Sequence, residues 1–261
     1  MCTLVAIAGL SPDVPLVVAA NRDELYARAA APPQLLATSP RVVGGRDLTK
    51  GGTWLGATEV GFFVGVTNQR SWTMPDPQRR SRGELVLDLL RAGSNEAALA
   101  HLRMIDARVY NSFNLLFGDA GALHVAYARD DKPRIVIEAL GPGVWVLNND
   151  TIGSRDFPKA TRAARLVAPF AVSEWADLAP ELRAMLGDHE LPPLEDVPAP
   201  PPGARLTHEQ LRALQAICVH TPAYGTRSST LLALGEKRVL HYSFADGPPC
   251  VTPFVDVGHL P

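Results

Sequence analysis

The chain has 261 residues, 46% of them apolar, with 25 basic against 27 acidic side chains and a formal charge of −2. That length suits one large domain or two small ones, and the apolar share is that of a globular protein with a sizeable core. The balanced charge shows no basic stripe and argues against a nucleic-acid partner, and no run reaches the roughly 18 consecutive apolar residues of a membrane span.

Residues 3–9 and 15–20 are short apolar runs on either side of Ser11-Pro12-Asp13, which reads as strand, turn, strand. A second pair, 53–57 and 62–67, turns near Glu59 and is entered through the glycine-rich run 44–52, whose glycines are expected in turns. From residue 82 the period changes. Leu85, Leu89 and Leu90 share one helical face over 82–91, and a second amphipathic helix follows over 95–104. Strands are predicted at 113–119, 122–128, 134–140 and 144–148 as one antiparallel meander. Helices are expected over 158–170 and 174–186, the second with Ser173 as its N-cap. Each proline of 192–203 removes a donor and fixes φ, so that stretch reads as an exposed polyproline-like connection. A short helix near 207–215 and a hairpin formed by TRSSTLLAL and RVLHYSF close the chain. Strand pairs alternating with helices predict one α+β domain over 1–261, an αββα sandwich of two mainly antiparallel sheets with Trp54, Phe62, Phe63 and Trp145 best read as core and a pocket wall as their alternative use.

The chemistry centres on Cys2, directly behind Met1. Removal of Met1 leaves a thiol and an α-amine on one residue, with ordinary pKa values of about 8.5 and about 7.7–8.0, close enough for the amine to serve as the thiol's base. The alternative is a small buried hydrophobe. Asn21-Arg22-Asp23-Glu24 follows the second predicted strand and returns towards the chain start, where an arginine favours thiolate and a carboxylate orients the amine. Read alone, the tetrad is better explained as a surface turn with local ion pairs. Cys2, Cys218 and Cys250 show no CxxC spacing and the opening lacks a basic leader region, so a reducing, cytoplasmic setting is expected. No metal is expected: Cys218 and His220 alone do not make a zinc site, and the other histidines are scattered. The glycine-rich run lacks the GK[ST] of a phosphate loop.

MCTLV, the Asn21-Arg22-Asp23-Glu24 tetrad, GGTWLG at 51–56, Thr67-Asn68-Gln69-Arg70, SRGEL at 81–85 and YGTRSST at 224–230 occur in this order. Together they resemble the NRDE family, also called the transport-and-Golgi-organisation family, which is similar to the N-terminal nucleophile hydrolases. The resemblance spans nearly the whole chain and implies the same sandwich. It also implies roles, by comparison with penicillin-acylase-like and bile-salt-hydrolase-like enzymes. Cys2 matches their nucleophile and Asp23 the aspartate beside its amine. Asn149 resembles their oxyanion asparagine, Asn68 their other asparagine, and Arg227 their late arginine. Ala20 stands where those enzymes carry an arginine and Arg22 directly precedes Asp23, which leaves open whether Arg22 reaches the site. As turn and surface residues the two asparagines and Arg227 have ordinary structural uses too.

The leading expectation is a hydrolase of non-peptide C–N amide bonds in a small molecule, working without a cofactor. The rival is a carrier of a hydrophobic ligand, haem or an acyl lipid, on the same fold, which the resemblance to eukaryotic relatives also implies. Oligomeric state is not written in the sequence.

Overall fold

Strands that are apolar on both faces need a cover on both faces, and the computed structural model, which describes residues 2–258, supplies one. Along β1 (Thr3–Ala8), Leu4 and Ala6 enter the core between two sheets, while Val5 and Ile7 pack beneath helices. β2 (Leu16–Leu25) divides in the same way, with Leu16, Val18 and Ala20 on one side and Val17 and Ala19 on the other. These two strands are central in a six-stranded antiparallel sheet with β10 (Gly143–Leu147), β11 (Tyr224–Gly235), β12 (Arg238–Ala245) and β13 (Val255–Asp256), ordered β10-β1-β2-β11-β12-β13. The facing seven-stranded sheet runs in chain order from β3 (Ala30–Thr38) through β4 (Arg41–Asp47), β5 (Leu55–Thr58), β6 (Phe63–Asn68), β7 (Phe113–Asp119) and β8 (Ala122–Ala128) to β9 (Val136–Leu140).

Helices α1 (Arg82–Ala92) and α2 (Asn95–Met104) bury Leu85, Leu89, Leu90 and Leu102 against Val64 and Leu115 of the seven-stranded sheet and against Phe62 just before β6. On the other outer face α3 (Pro158–Val167) and α4 (Trp175–Leu186) bury Ala163, Leu178 and Leu182 against the six-stranded sheet. The result is the expected four-layer α+β sandwich. A fifth helix, α5 (His208–Ala213), starts at a capping box formed by Thr207 and Gln210. Among the described residues no helix is long and apolar enough to cross a membrane.

Several local expectations need correction. The Asn21-to-Glu24 tetrad lies inside β2, because β11 pairs alongside it, Asp23 opposite Thr226 and Glu24 opposite Gly225. A polar stretch can remain strand here because its side chains find buried partners. The hairpin β3–β4 is missing from the sequence reading: β3 is an exposed, bulged edge containing Pro32 and Pro33, so it carries no apolar alternation. Gly44 and Gly45 lie in β4 and not in a turn, and a Cβ on Gly45 would sit 2.3 Å from the Trp54 ring. β10 leaves the predicted meander and crosses to the other sheet, Leu147 pairing with Leu4. Ser173 does not cap α4. Glu174 is the N-cap, the Ser173 carbonyl accepts from Ser11 Oγ at 2.8 Å, and the Asp13 carboxylate accepts from the Trp175 N–H at 3.1 Å. Phe62 and Phe63 are core, whereas Trp54 and Trp145 are only half-buried. The proline-rich connection contains a short 3₁₀ turn at Leu194–Asp196 and buries Val197.

Candidate active site

Antiparallel register sets Thr3 opposite Asn21, so the residue before β1 falls beside Arg22 and Asp23. Cys2 is half-buried there, its thiol directed at the Asp23 carbonyl 3.7 Å away. The Asp23 carboxylate turns inward. Its Oδ1 accepts from Thr226 Oγ1 at 2.7 Å, and its Oδ2 lies 3.6 Å from Lys159 Nζ, both side chains fully buried. Burial pushes the Lys159 ammonium pKa down, opposed by the charges of Asp23 and Cys2. Burial also pushes the Cys2 thiol up, and the Asp23 charge adds to that, so the thiol is neutral near pH 7 and needs a base. The expected removal of Met1 concerns a residue outside the described ones.

Lys159 was not foreseen, although a signal exists. It follows Pro158 in the first turn of α3, where the positive end of the helix dipole disfavours a cation. A lysine there needs a compensating carboxylate, and Asp23 provides it. The neighbouring Asn21 is also buried, donating to the Leu186 and Ile217 carbonyls at 2.8 and 2.9 Å and accepting from Ser229 Oγ at 2.5 Å.

Cys2 opens onto a cavity of about 320 Å³ between the sheet ends, lined also by Arg22, Trp54, Asn68, Arg79 and Arg82. Arg22 therefore reaches the site. Its guanidinium lies 4.2 Å above the centre of the Trp54 ring, which rests over Gly45. The cavity wall explains two of the sequence motifs: GGTWLG and SRGEL meet backbone to backbone, Thr53 N–H donating to the Gly83 carbonyl at 3.0 Å, and a Cβ on Gly52 would lie 2.1 Å from the Gly83 carbonyl carbon. Neither Arg22 nor Arg82 forms an ion pair among the described residues. Burial pushes both guanidinium pKa values down.

The remaining nominated residues divide. Asn68, exposed at the end of β6, lines the cavity with Cys2. Asn149 is buried, donates Nδ2 to the Asn68 carbonyl at 2.6 Å and borders an adjoining cavity. Its neighbour Asn148, not nominated from sequence, donates to the Cys2 carbonyl at 3.1 Å and to Thr3 Oγ1 at 3.0 Å. Arg227 occupies the bulge where β11 shifts register between Thr226 and Ser228, and its guanidinium donates to the Tyr26 carbonyl at 2.7 Å; it is not among the residues lining the Cys2 cavity. Elsewhere the expectation of scattered histidines fails in space: His189, Cys218, His220 and Cys250 converge, with one ligand atom from each within 4.8 Å of the others.

Comparison with known proteins agrees with the fold. A variant of conjugated bile acid hydrolase from Clostridium perfringens is similar over 98% of this chain and 92% of its own, at 12% identity and a TM-score of 0.58. Penicillin V acylase from Agrobacterium tumefaciens is similar over 98% and 86%, at 16% identity and a TM-score of 0.56, and both likenesses concern the N-terminal nucleophile hydrolase fold. In sequence the chain is 31% identical over 238 residues to the Bos taurus Transport and Golgi organization protein 2 homolog, covering 83% of this chain and 81% of that protein. The model of the Transport and Golgi organisation 2 family matches residues 1–245, and the chain belongs to that family.

Proposed function

We propose that this protein hydrolyses a C–N amide bond in a small molecule that carries an anionic group, using Cys2 as the nucleophile. The observation that carries the reading is the half-buried thiol at the cavity end with Asp23, Lys159 and Thr226 buried behind it. After Met1 is removed, the α-amine takes the thiol proton as sulfur attacks the amide carbonyl. The amine then returns that proton to the leaving nitrogen, the C–N bond breaks, and water hydrolyses the thioester to release the acid. Asp23, fixed by Thr226 and Lys159, holds the α-amine. Asn68 is the side-chain donor to the oxyanion, and Asn149 acts as a positioning residue through its bond to the Asn68 carbonyl. Arg22 and Arg82 take the substrate's anionic group, since two partly desolvated cations that form no ion pair among the described residues gain from one. Solved hydrolases of bile acid conjugates and of penicillin V on this fold support the chemistry.

One observation favours the carrier reading as an alternative. Beside the first cavity, sharing Glu24, Asn68 and Pro75 with it, lies another of about 470 Å³ lined by Trp72, Met74, Leu206, Leu211 and Leu214. Such a surface suits an acyl chain or a haem face, either as cargo or as the apolar part of the amide. Intact mass and an amide-library screen separate the two. Loss of Met1 with release of amine by wild type and not by Cys2→Ala supports hydrolysis. Saturable ligand binding without turnover, unchanged in Cys2→Ala, supports carriage.

A further inference from the structure

His189 lies in the loop after α4, Cys218 and His220 in the segment leading to β11, and Cys250 in the turn after β12, yet their side chains meet. The spacing is specific. Bonds of about 2.3 Å to sulfur and about 2.0–2.1 Å to nitrogen at tetrahedral angles place two sulfurs about 3.8 Å apart and a sulfur and a nitrogen about 3.6 Å apart. The two Sγ atoms stand 3.8 Å apart, and His220 Nε2 lies 3.6 Å from Cys218 Sγ and 3.3 Å from Cys250 Sγ. A disulfide would need about 2.05 Å between the sulfurs. His189 stands fourth at a looser spacing, its ligand atom within 4.8 Å of the other three: its Nδ1 lies 3.0 Å from the Cys218 carbonyl, an N–H contact that leaves the lone pair on Nε2, and its ring centre is 5.0 Å from that of His220.

From this geometry we infer that His189, Cys218, His220 and Cys250 form a tetrahedral Cys₂His₂ site for one zinc ion. Two thiols release their protons to water on binding, and two thiolates balance the dication's charge. Four protein ligands close the coordination shell, which makes the role structural. The ion ties the end of α4 and the turn after β12 to the segment before β11. That segment is already held by the bond from Cys218 N–H to the Asp188 carbonyl at 2.8 Å. Between the ligands Cys218 and His220, Val219 N–H donates to Thr226 Oγ1 at 2.9 Å, and Thr226 donates on to Asp23. The metal loop thus braces the carboxylate behind Cys2, although the site itself does not depend on any reaction there.

The test uses the full-length chain without an affinity tag, purified under reducing conditions. Elemental analysis is expected to find one zinc per chain. After chelation, cobalt(II) is expected to give a near-ultraviolet thiolate charge-transfer band and the intense visible bands of a tetrahedral complex, displaced by one equivalent of zinc. Cys250→Ser, at an exposed position, and His220→Ala are each expected to lose the bound zinc while keeping the circular dichroism of the fold. The proposal is overturned by zinc well below one equivalent after incubation with the metal and dialysis, by weak octahedral cobalt bands, or by bands that persist in both variants. It is also overturned by a Cys218–Cys250 disulfide in the freshly reduced protein. None of these outcomes depends on amide hydrolysis.

Discussion

The chain carries two thiol-centred clusters of opposite construction. Around Cys2 the partners, Lys159 of α3 apart, stand on strands: β1, β2 and β11 are hydrogen-bonded neighbours, and their register places Asp23 opposite Thr226 and both beside the chain start. Around Cys218 the partners stand on three loops that meet only because α4 and the turn after β12 end at the same edge. Strand register fixes a partner to within a residue, so a strand-built site leaves contiguous motifs in the sequence. A loop-built site leaves single residues at unrelated spacings. Thr226 joins the two, bonded to Asp23 on one side and to Val219 on the other.

The sharpest way to break this contrast is to remove the nucleophile. Cys2→Ala is expected to lower amide turnover by roughly 10⁴-fold or more while leaving the zinc content unchanged, measured by amine release and elemental analysis. Cys250→Ser is expected to do the reverse to the metal. If Cys2→Ala lost zinc as well, the two clusters would be one site.

Lys159→Met comes next, and its effect falls on stability. Removing one partner of a fully buried ion pair takes the nearest described opposite charge from the other and typically costs about 3–5 kcal/mol. Urea unfolding is expected to show that loss, and the double variant Asp23→Asn with Lys159→Met is expected to recover part of it. A loss below about 1 kcal/mol in the single variant would mean that the pair is not buried in solution.

Arg22→Leu tests the cationic wall. A charged hydrogen bond to the substrate is worth about 1.5–3 kcal/mol, so KM for anionic amides is expected to rise roughly tenfold to a hundredfold, with neutral amides unaffected. Equal effects on both substrates would assign Arg22 to packing on Trp54.

The layered fold was legible because apolar runs such as 4–8 and 231–234 are continuous, the mark of strands covered on both faces. Cys2 and Asp23 were legible because motif and register agree. Lys159 was not, since nothing in its local sequence names a partner at Asp23, far away along the chain, and only its place at the wrong end of a helix dipole gives it away. The β3–β4 hairpin escaped because an exposed edge carries no periodic apolar signal. His189 and Cys250 escaped because metal-ligand spacing is a local pattern, and here two of the four ligands come from loops about thirty residues to either side of Cys218 and His220.

The smallest expected effect concerns the helix that delivers His189. Local rules nominate Ser173 as the cap of α4, whereas the Asp13 carboxylate, on the β1–β2 turn, receives the Trp175 N–H. Asp13→Ala is therefore expected to cost about 1 kcal/mol in urea unfolding and Ser173→Ala close to nothing. Burial raises the Asp13 pKa, but the hydrogen bonds from the Trp175 N–H and the Ser11 hydroxyl together outweigh it and hold the carboxyl below the usual range. A carboxylate with a depressed folded pKa stabilises fully above its unfolded value, about pH 4, and loses that contribution as pH falls through the folded value. The difference between wild type and Asp13→Ala is thus expected to be constant from neutral pH to about pH 5 and to shrink below about pH 4. A difference that persists undiminished at lower pH would show that Asp13 acts by shape alone, and a cost in Ser173→Ala would return the cap to the residue that the local sequence nominates.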